Sequence, residues 1–149
     1  MSLTDWSASG WVNEHTPSRQ EIRDLLAVAD RDLRQCLTSG LDADWRLAIA
    51  YNAALQCATA ALAAAGYRAE REAHHYRVIG SLALTIVWPP AKVRLFQRFR
   101  RKRHEAGYER AGAVSPQDAE EMLALAQELR VDVQDWLIAN HRELLEAAP

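Results

Sequence analysis

Apolar side chains recur three or four positions apart along nearly the whole chain. No stretch shows convincing alternation of apolar and polar residues, which is the period that a half-buried strand needs. The spacing therefore predicts helices throughout. We expect an all-α protein, an up-and-down bundle of about five helices joined by short connections.

Capping and stop signals divide this pattern into segments. The Ser-x-x-Glu sequence at 18–21 is a capping box, which starts a first helix that ends by Gly40. Asp42 or Asp44 caps a second helix that is very rich in alanine, and Gly66 is its natural stop.

Three further helices are predicted after Gly66. The third covers about residues 71–86 and is broken by the Trp-Pro-Pro sequence at 88–90, because proline lacks an amide hydrogen and disfavours helix before it. The fourth starts near Ala91. The Ser-Pro-x-Asp sequence at 115–118 starts a long last helix, with proline at its first position.

The domain organisation follows from these boundaries. Residues 18–147 are predicted to form a single helical domain, since 149 residues suffice for one core and hardly for two. Residues 1–17 carry Trp6 and Trp11 without periodicity. We interpret them as an N-terminal arm whose tryptophans dock on the domain or on a partner.

Several function classes are excluded by what the sequence lacks. With 49% apolar and 26% charged residues, the chain has the balance of a soluble domain. It shows no secretory signal, and the alanine-rich stretch 58–66 is too short to span a bilayer, so we expect a cytoplasmic protein without a membrane partner. Cys36 and Cys57 are too few for a disulfide scaffold. His74 and His75 are adjacent and chelate poorly, so we expect no metal and no cofactor.

Charges are segregated along the chain although the formal net charge is only −2. Residues 92–103 hold seven basic side chains and no acid, whereas residues 117–149 hold eight acids against two arginines. A cluster of basic side chains attracts phosphate groups. The same pattern also fits a structural interpretation, in which the basic helix faces the acidic one. Under the first interpretation four residues are predicted to bind RNA or phosphate: Arg98, Arg100, Arg101 and Lys102.

Three sequence blocks resemble the HEPN superfamily of small helical bundles. The first is residues 48–56 (AIAYNAALQ) and the second is residues 66–79, which hold Gly-Tyr-Arg and His-His-Tyr-Arg-Val-Ile. The third is residues 100–121, from Arg-Arg-Lys-Arg-His to the start of the last predicted helix. The order and spacing of the blocks carry the resemblance, which covers residues 21–137.

Many HEPN proteins are metal-independent endoribonucleases whose motif is an arginine, a polar residue and, a few positions on, a histidine. Two registers of that motif are open here. In one, Arg103 is followed by the polar His104, and Tyr108 stands where the family has its histidine. In the other, Arg98 pairs with His104, but Phe99 takes the polar position. The flanking residues favour the first register, which implies that Arg103, His104 and Tyr108 are the catalytic residues.

The resemblance also implies a homodimer, because the arginine and histidine of the motif meet across two copies. Cleaving RNA without a metal needs a base, an acid and a cation. Tyrosine titrates near 10 and is a poor base at neutral pH, whereas histidine titrates near 6.5. Arg103 would therefore supply the cation and His104 the base.

Two functions from different classes follow. The first is an HEPN-like protein that binds RNA or the phosphate of a nucleotide, extended to a metal-independent endoribonuclease of a toxin–antitoxin or defence system. The second is a noncatalytic helical interaction module that partners a nucleotidyltransferase or another protein. The sequence alone leaves open whether the chain is an enzyme.

Overall fold

The computed structural model describes residues 1–108 and 114–146, with side chains described over 1–104 and 114–146. It is an all-α bundle, as the apolar spacing predicts, and within the described residues it adds one two-stranded sheet. Two short 3-10 helices lie at Ser81–Ala83 and Arg142–Leu144. The other elements are α1 (Leu3–Ala8), β1 (Val12–Glu14), α2 (Arg19–Gln35), α3 (Ala43–Ala64), β2 (Tyr67–Ala69), α4 (His74–Gly80), α5 (Pro90–Tyr108) and α6 (Pro116–Asn140).

Helix α3 runs through the middle of the bundle and packs most extensively against α2 and α6. Its alanines let those neighbours approach closely, because the distance between packed helices depends on the side chains at the contact. Several of them have no exposed surface: Ala50, Ala53, Ala54, Ala58, Ala60 and Ala61. The alanine-rich sequence thus produces the central helix of the core.

By length and composition alone, α3 is also long and apolar enough to cross a membrane. The sequence-based argument from residues 58–66 was wrong on this point, since it counted only part of the apolar segment. In the fold, 72% of the most apolar stretch of α3 is buried. That burial is what the core helix of a soluble protein shows.

Polar side chains join α2 to α3 and α6. Asp32 on α2 is 7% exposed and accepts a hydrogen bond from Asn52 Nδ2 on α3 at 2.7 Å. Arg130 on α6 makes a two-point ion pair with Asp30, at 2.8 and 3.2 Å. A carboxylate removed from water needs such partners, because a buried charge without them is costly.

The serine caps lie where the sequence predicts them, but the capping box predicted at 18–21 is formed only by its Ser18 half, since the Glu21 carboxylate bonds His15 instead. The hydroxyls of Ser18 and Ser115 each accept a hydrogen bond from the backbone N–H three residues on, both at 3.0 Å. Asp42 is the N-cap residue of α3 without a side-chain capping bond. Leu144 lies beyond the end of α6, in the 3-10 helix Arg142–Leu144.

The tryptophans of residues 1–17 pack on the helical domain. Trp6 is buried in α1 and meets Trp11 edge to face, with 5.7 Å between ring centroids. The guanidinium of Arg77 on α4 lies 3.8 Å from the centroid of Trp11. The sequence left open whether the two tryptophans dock on the domain or on a partner. These contacts place both rings against the domain.

A small sheet holds the same segment in place. Strand β1 pairs antiparallel with β2, so that Val12 lies opposite Ala69. The sequence analysis predicted no strand, and that expectation was wrong. Three-residue strands are too short to display an alternating pattern, so only the pairing in three dimensions reveals them.

The predicted third helix over 71–86 was wrong in its bounds. Ala73 has a left-handed backbone with φ of 55°, a conformation that a continuous α-helix does not contain. Helix α4 therefore begins only at His74, and after Gly80 the chain tightens into a 3-10 turn. Val87, with φ of 54°, marks a second break just before the Trp-Pro-Pro sequence. The chain then enters α5 at Pro90.

Candidate functional site

Helix α5 carries the basic block and presents it on two different sides. Phe96 and Phe99 point into the core and are fully buried. The helix therefore lies between α6 on one side and α3 with α4 on the other. Because successive residues of an α-helix are about 100° apart around its axis, neighbouring basic side chains reach different partners.

One side of α5 is neutralised by the acids of α6. Arg98 Nη2 lies 3.5 Å from Glu121 Oε2, and Lys102 Nζ lies 3.6 Å from Asp118 Oδ2. Lys92 bonds Glu128, which lies about two turns after Glu121 on α6. For these three side chains the structural interpretation of the charge pattern is confirmed. Arg98 and Lys102, predicted to bind phosphate, thus already have carboxylate partners.

The other side of α5 faces aromatic rings. The guanidinium carbon of Arg103 lies 5.2 Å from the ring centroid of Tyr51 on α3. That of Arg100 lies 5.6 Å from the ring centroid of Tyr76 on α4. Arg100 Nε also donates to Gln97 Oε1 at 2.9 Å. Among the described residues, neither arginine has a carboxylate within ion-pair distance.

Tyr51 is the buried member of a cluster that it forms with Arg100, Arg103 and His75. Its side chain is 1% exposed and meets the ring of Phe96 edge to face, with centroids 5.6 Å apart. Burial raises the pKa of Tyr51 to about 12, against the opposing charges of Arg103 and Arg100. The phenol therefore keeps its hydrogen at neutral pH.

The Tyr51 hydroxyl is hydrogen-bonded to His75. The Tyr51 hydroxyl lies 3.1 Å from His75 Nδ1. The pKa of His75 is lowered from its ordinary value of 6.5, first by burial, then by the charges of Arg103, His74 and Arg100. A neutral imidazole has one bare nitrogen and one N–H. Because Nδ1 is the partner that the described residues offer to the buried phenol hydrogen, we assign Tyr51 as the donor and the imidazole hydrogen to Nε2, so His75 offers an N–H donor beside two arginines.

The sequence analysis missed the pairing of Tyr51 with His75. It treated Tyr51 as part of an alanine-rich helix and predicted that one of His74 and His75 is packed or hydrogen-bonded and the other exposed, without naming a partner. The two residues are 24 positions apart and no local pattern links them. The available signal was the resemblance itself, because its first block contains Tyr51 and its second block contains His75.

The predicted catalytic residues are not all brought together. His104 is exposed and follows Arg103 directly, so it lies about 100° further around α5 and not on the side that faces Tyr51. Arg101 is exposed on the same helix. Tyr108 is the last residue of α5. Its side chain lies outside the described ones, so its catalytic role stays a prediction.

The donor set of this cluster suits an anion and not a metal ion. Two guanidiniums and an imidazole N–H are hydrogen-bond donors, and a phosphate accepts from all of them. Over residues 1–108 and 114–146, no group of three His, Cys, Asp or Glu side chains is placed to hold a metal ion. The cluster can therefore bind and orient a phosphate, and Arg103 can stabilise negative charge that develops on it.

Comparison with protein-family models, curated proteins and solved structures finds no match to this chain. The HEPN resemblance thus stays a prediction made from the sequence blocks. In the fold, one residue from each block meets at the cluster: Tyr51 from the first, His75 from the second and Arg103 from the third.

Proposed function

We propose that this protein binds RNA, or the phosphate of a nucleotide, at Arg100 and Arg103. The observation that carries the proposal is a contrast within one helix. Lys92, Arg98 and Lys102 are paired with carboxylates of α6, whereas Arg100 and Arg103 lie against aromatic rings with no carboxylate among the described residues. Since Arg100 and Arg103 have no acidic partner among the side chains that the structure describes, their charges are the ones left to attract an anion.

Arginine is well suited to this task. Its planar guanidinium donates two parallel hydrogen bonds to a phosphate, and such charge-assisted bonds are about twice as strong as neutral ones. Gln97 holds Arg100 in place through its Nε, and Arg103 lies within cation–π range of the Tyr51 ring, 5.2 Å from its centroid. Both side chains are thus partly ordered before a ligand arrives, which lowers the entropy cost of binding.

We extend the proposal to RNA cleavage without a metal. Arg103 would stabilise the charge on the phosphate, and His104 would take the proton of the 2′-hydroxyl as its oxygen bonds to phosphorus. The bond from phosphorus to the 5′-oxygen would break, that oxygen would take a proton from water, and a 2′,3′-cyclic phosphate would be left. His75 is unsuited as that base, since its Nδ1 is bonded to Tyr51. Because His104 and Arg103 lie on different sides of α5, the two roles would be filled by different copies of the chain in a homodimer. An activity of this kind would fit a toxin–antitoxin or defence system.

Incubation with a mixed RNA pool in the presence of EDTA tests the extension. EDTA removes contaminating nucleases that depend on metals. We expect wild type to cleave, and Arg103→Ala and His104→Ala to lose most of the activity. The matched control is Arg98→Ala, which removes an arginine from the α6-facing side of the same helix and is expected to cleave as wild type does. Absence of cleavage by wild type would overturn the cleavage step, and equal cleavage by all variants would assign the activity to a contaminant.

A second candidate function is the noncatalytic interaction module. The observation in its favour is the exposure of two large apolar side chains near the connection between α2 and α3, Leu37 at 70% and Trp45 at 64%, which we call the apolar pair. Exposed apolar side chains mark protein contacts more often than nucleic-acid contacts. Size-exclusion chromatography with light scattering tests this candidate, with a purified small nucleotidyltransferase added to this chain. A complex lost in Trp45→Ser but kept in Arg103→Ala would favour the module.

A further inference from the structure

Tyr76 stands beside the proposed phosphate site with its ring open to solvent. It lies on α4 and its residue is 48% exposed, unlike the buried Tyr51. Its backbone carbonyl accepts a hydrogen bond from Gln97 Nε2 at 3.0 Å. The other end of the same amide, Gln97 Oε1, accepts from Arg100 Nε at 2.9 Å. One glutamine therefore fixes the position of Arg100 relative to the backbone of Tyr76.

The contacts of the Tyr76 ring leave its surface accessible. The guanidinium carbons of Arg100 and Arg77 lie 5.6 and 5.4 Å from its centroid. Both distances exceed the roughly 3.5–4 Å of van der Waals contact between stacked groups. Arg77 is instead stacked on Trp11, at 3.8 Å. Both guanidiniums lie over the ring without being packed on it. Since Tyr76 is 48% exposed, a planar group is able to take the place of one of them on the tyrosine.

We propose that Tyr76 is a stacking platform for an unpaired base, and that the site therefore takes single-stranded RNA. This inference rests on the proposed function, because it requires the neighbouring phosphate to lie at Arg100 and Arg103. Proteins that bind single strands combine a basic groove for the backbone with aromatic rings on which bases stack. In a duplex each base is already stacked between its neighbours, so its face does not reach a protein ring.

The inference distinguishes two kinds of contact that a basic helix can make. Arginine contacts to phosphate are indifferent to whether the strand is paired, since both forms display phosphates. Stacking on Tyr76 requires a base that is free of a partner. The preference for single strands is therefore assigned to Tyr76, and the overall attraction to Arg100 and Arg103.

Fluorescence anisotropy with a labelled single-stranded RNA, and with the duplex of the same sequence, tests this assignment. Tyr76→Ala is expected to weaken single-strand binding by about tenfold, the usual loss for one stacked base, while duplex binding changes little. Tyr76→Phe keeps the ring and is expected to bind both forms as wild type does. Arg103→Ala is expected to weaken binding of both forms. Circular dichroism melts establish that each variant is folded.

The outcomes separate this inference from the function on which it rests. If Arg103→Ala weakens binding but Tyr76→Ala does not, the phosphate site stands and the stacking platform is overturned. Equal losses of single-strand and duplex binding in Tyr76→Ala would overturn it as well. If neither variant changes RNA binding, the proposed function itself fails. Binding that survives both changes but is lost in Trp45→Ser would assign the interaction to the apolar pair at the α2–α3 connection.

Discussion

The two sides of α5 have the same residue types and opposite surroundings. Toward α6, Arg98 and Lys102 meet carboxylates. Toward α3 and α4, Arg100 and Arg103 meet the rings of Tyr76 and Tyr51. A run of basic residues in a sequence is therefore not one surface. The helical repeat divides it into a part that helps to hold the bundle together and a part whose charge stays available for a ligand.

The surroundings also differ in what they do to neighbouring side chains. On the α6 side, opposite charges cancel and the pairs are largely solvated. On the α3 side, the arginines lie against the buried Tyr51 and the half-buried His75, whose pKa is lowered by burial and by the nearby cations. A phosphate bound beside the two arginines would offset their charge at His75, so we expect it to raise that pKa.

The largest expected effect is on RNA affinity. Arg103→Ala is expected to weaken binding at least tenfold, because hydrogen bonds to charged groups contribute about 1.5–3 kcal/mol, and 1.4 kcal/mol corresponds to a factor of ten. Arg98→Ala, the matched loss on the α6 side, is expected to stay close to wild type. Fluorescence anisotropy of a labelled RNA measures both. Equal losses would mean that the two sides of α5 do not differ in function.

A smaller effect is expected on the pH dependence of stability. Since the folded pKa of His75 lies below its ordinary value of 6.5, the unfolded chain binds the proton more readily, and the free energy of unfolding falls as pH drops below about 6.5. Arg103→Ala removes one of the charges that lower this pKa, so NMR titration is expected to show the pKa of His75 move upward. Arg98→Ala should leave that titration as it is. An unchanged His75 titration in Arg103→Ala would place Arg103 away from the imidazole in solution.

The smallest effect is expected on the free energy of unfolding, when one ion pair between α5 and α6 is removed. The ion pair of Arg98 with Glu121 is solvent-exposed, and pairs of that kind contribute about 0–1 kcal/mol. Arg98→Ala is therefore expected to lower the free energy of unfolding by less than about 1 kcal/mol in urea melts. A much larger loss would show that the α6 side acts as a structural anchor and not as a set of solvated pairs.

The parts of the fold that were predicted correctly depend on short-range chemistry. The Ser18 and Ser115 caps and the start of α5 at Pro90 are encoded by residues within one helical turn of each boundary. The sheet and the bounds of α4 were missed, because they depend on pairing between Val12 and Ala69 and on the left-handed Ala73. Neither leaves a periodic signal in the sequence.

The candidate site was predicted only in part, for a related reason. The basic run gave Arg100 and Arg103, and charge segregation gave the α6 pairing as an open alternative. What local sequence does not encode is which arginine faces Tyr51 and which faces Glu121, since that depends on how α5 is rotated against its neighbours. Phe96 and Phe99 fix that rotation by entering the core, so their positions relative to the arginines were the usable signal.

The salt dependence of RNA binding tests the central claim most directly, namely that the α3-facing arginines contact phosphate and the α6-facing ones do not. Each phosphate contact on a single strand contributes about 0.7 to the slope of log affinity against log salt concentration. Measured for wild type, Arg103→Ala and Arg98→Ala, the slope is expected to become shallower by about 0.7 in Arg103→Ala and to stay at the wild-type value in Arg98→Ala. An unchanged slope in Arg103→Ala, or an equal change in both variants, would contradict the claim.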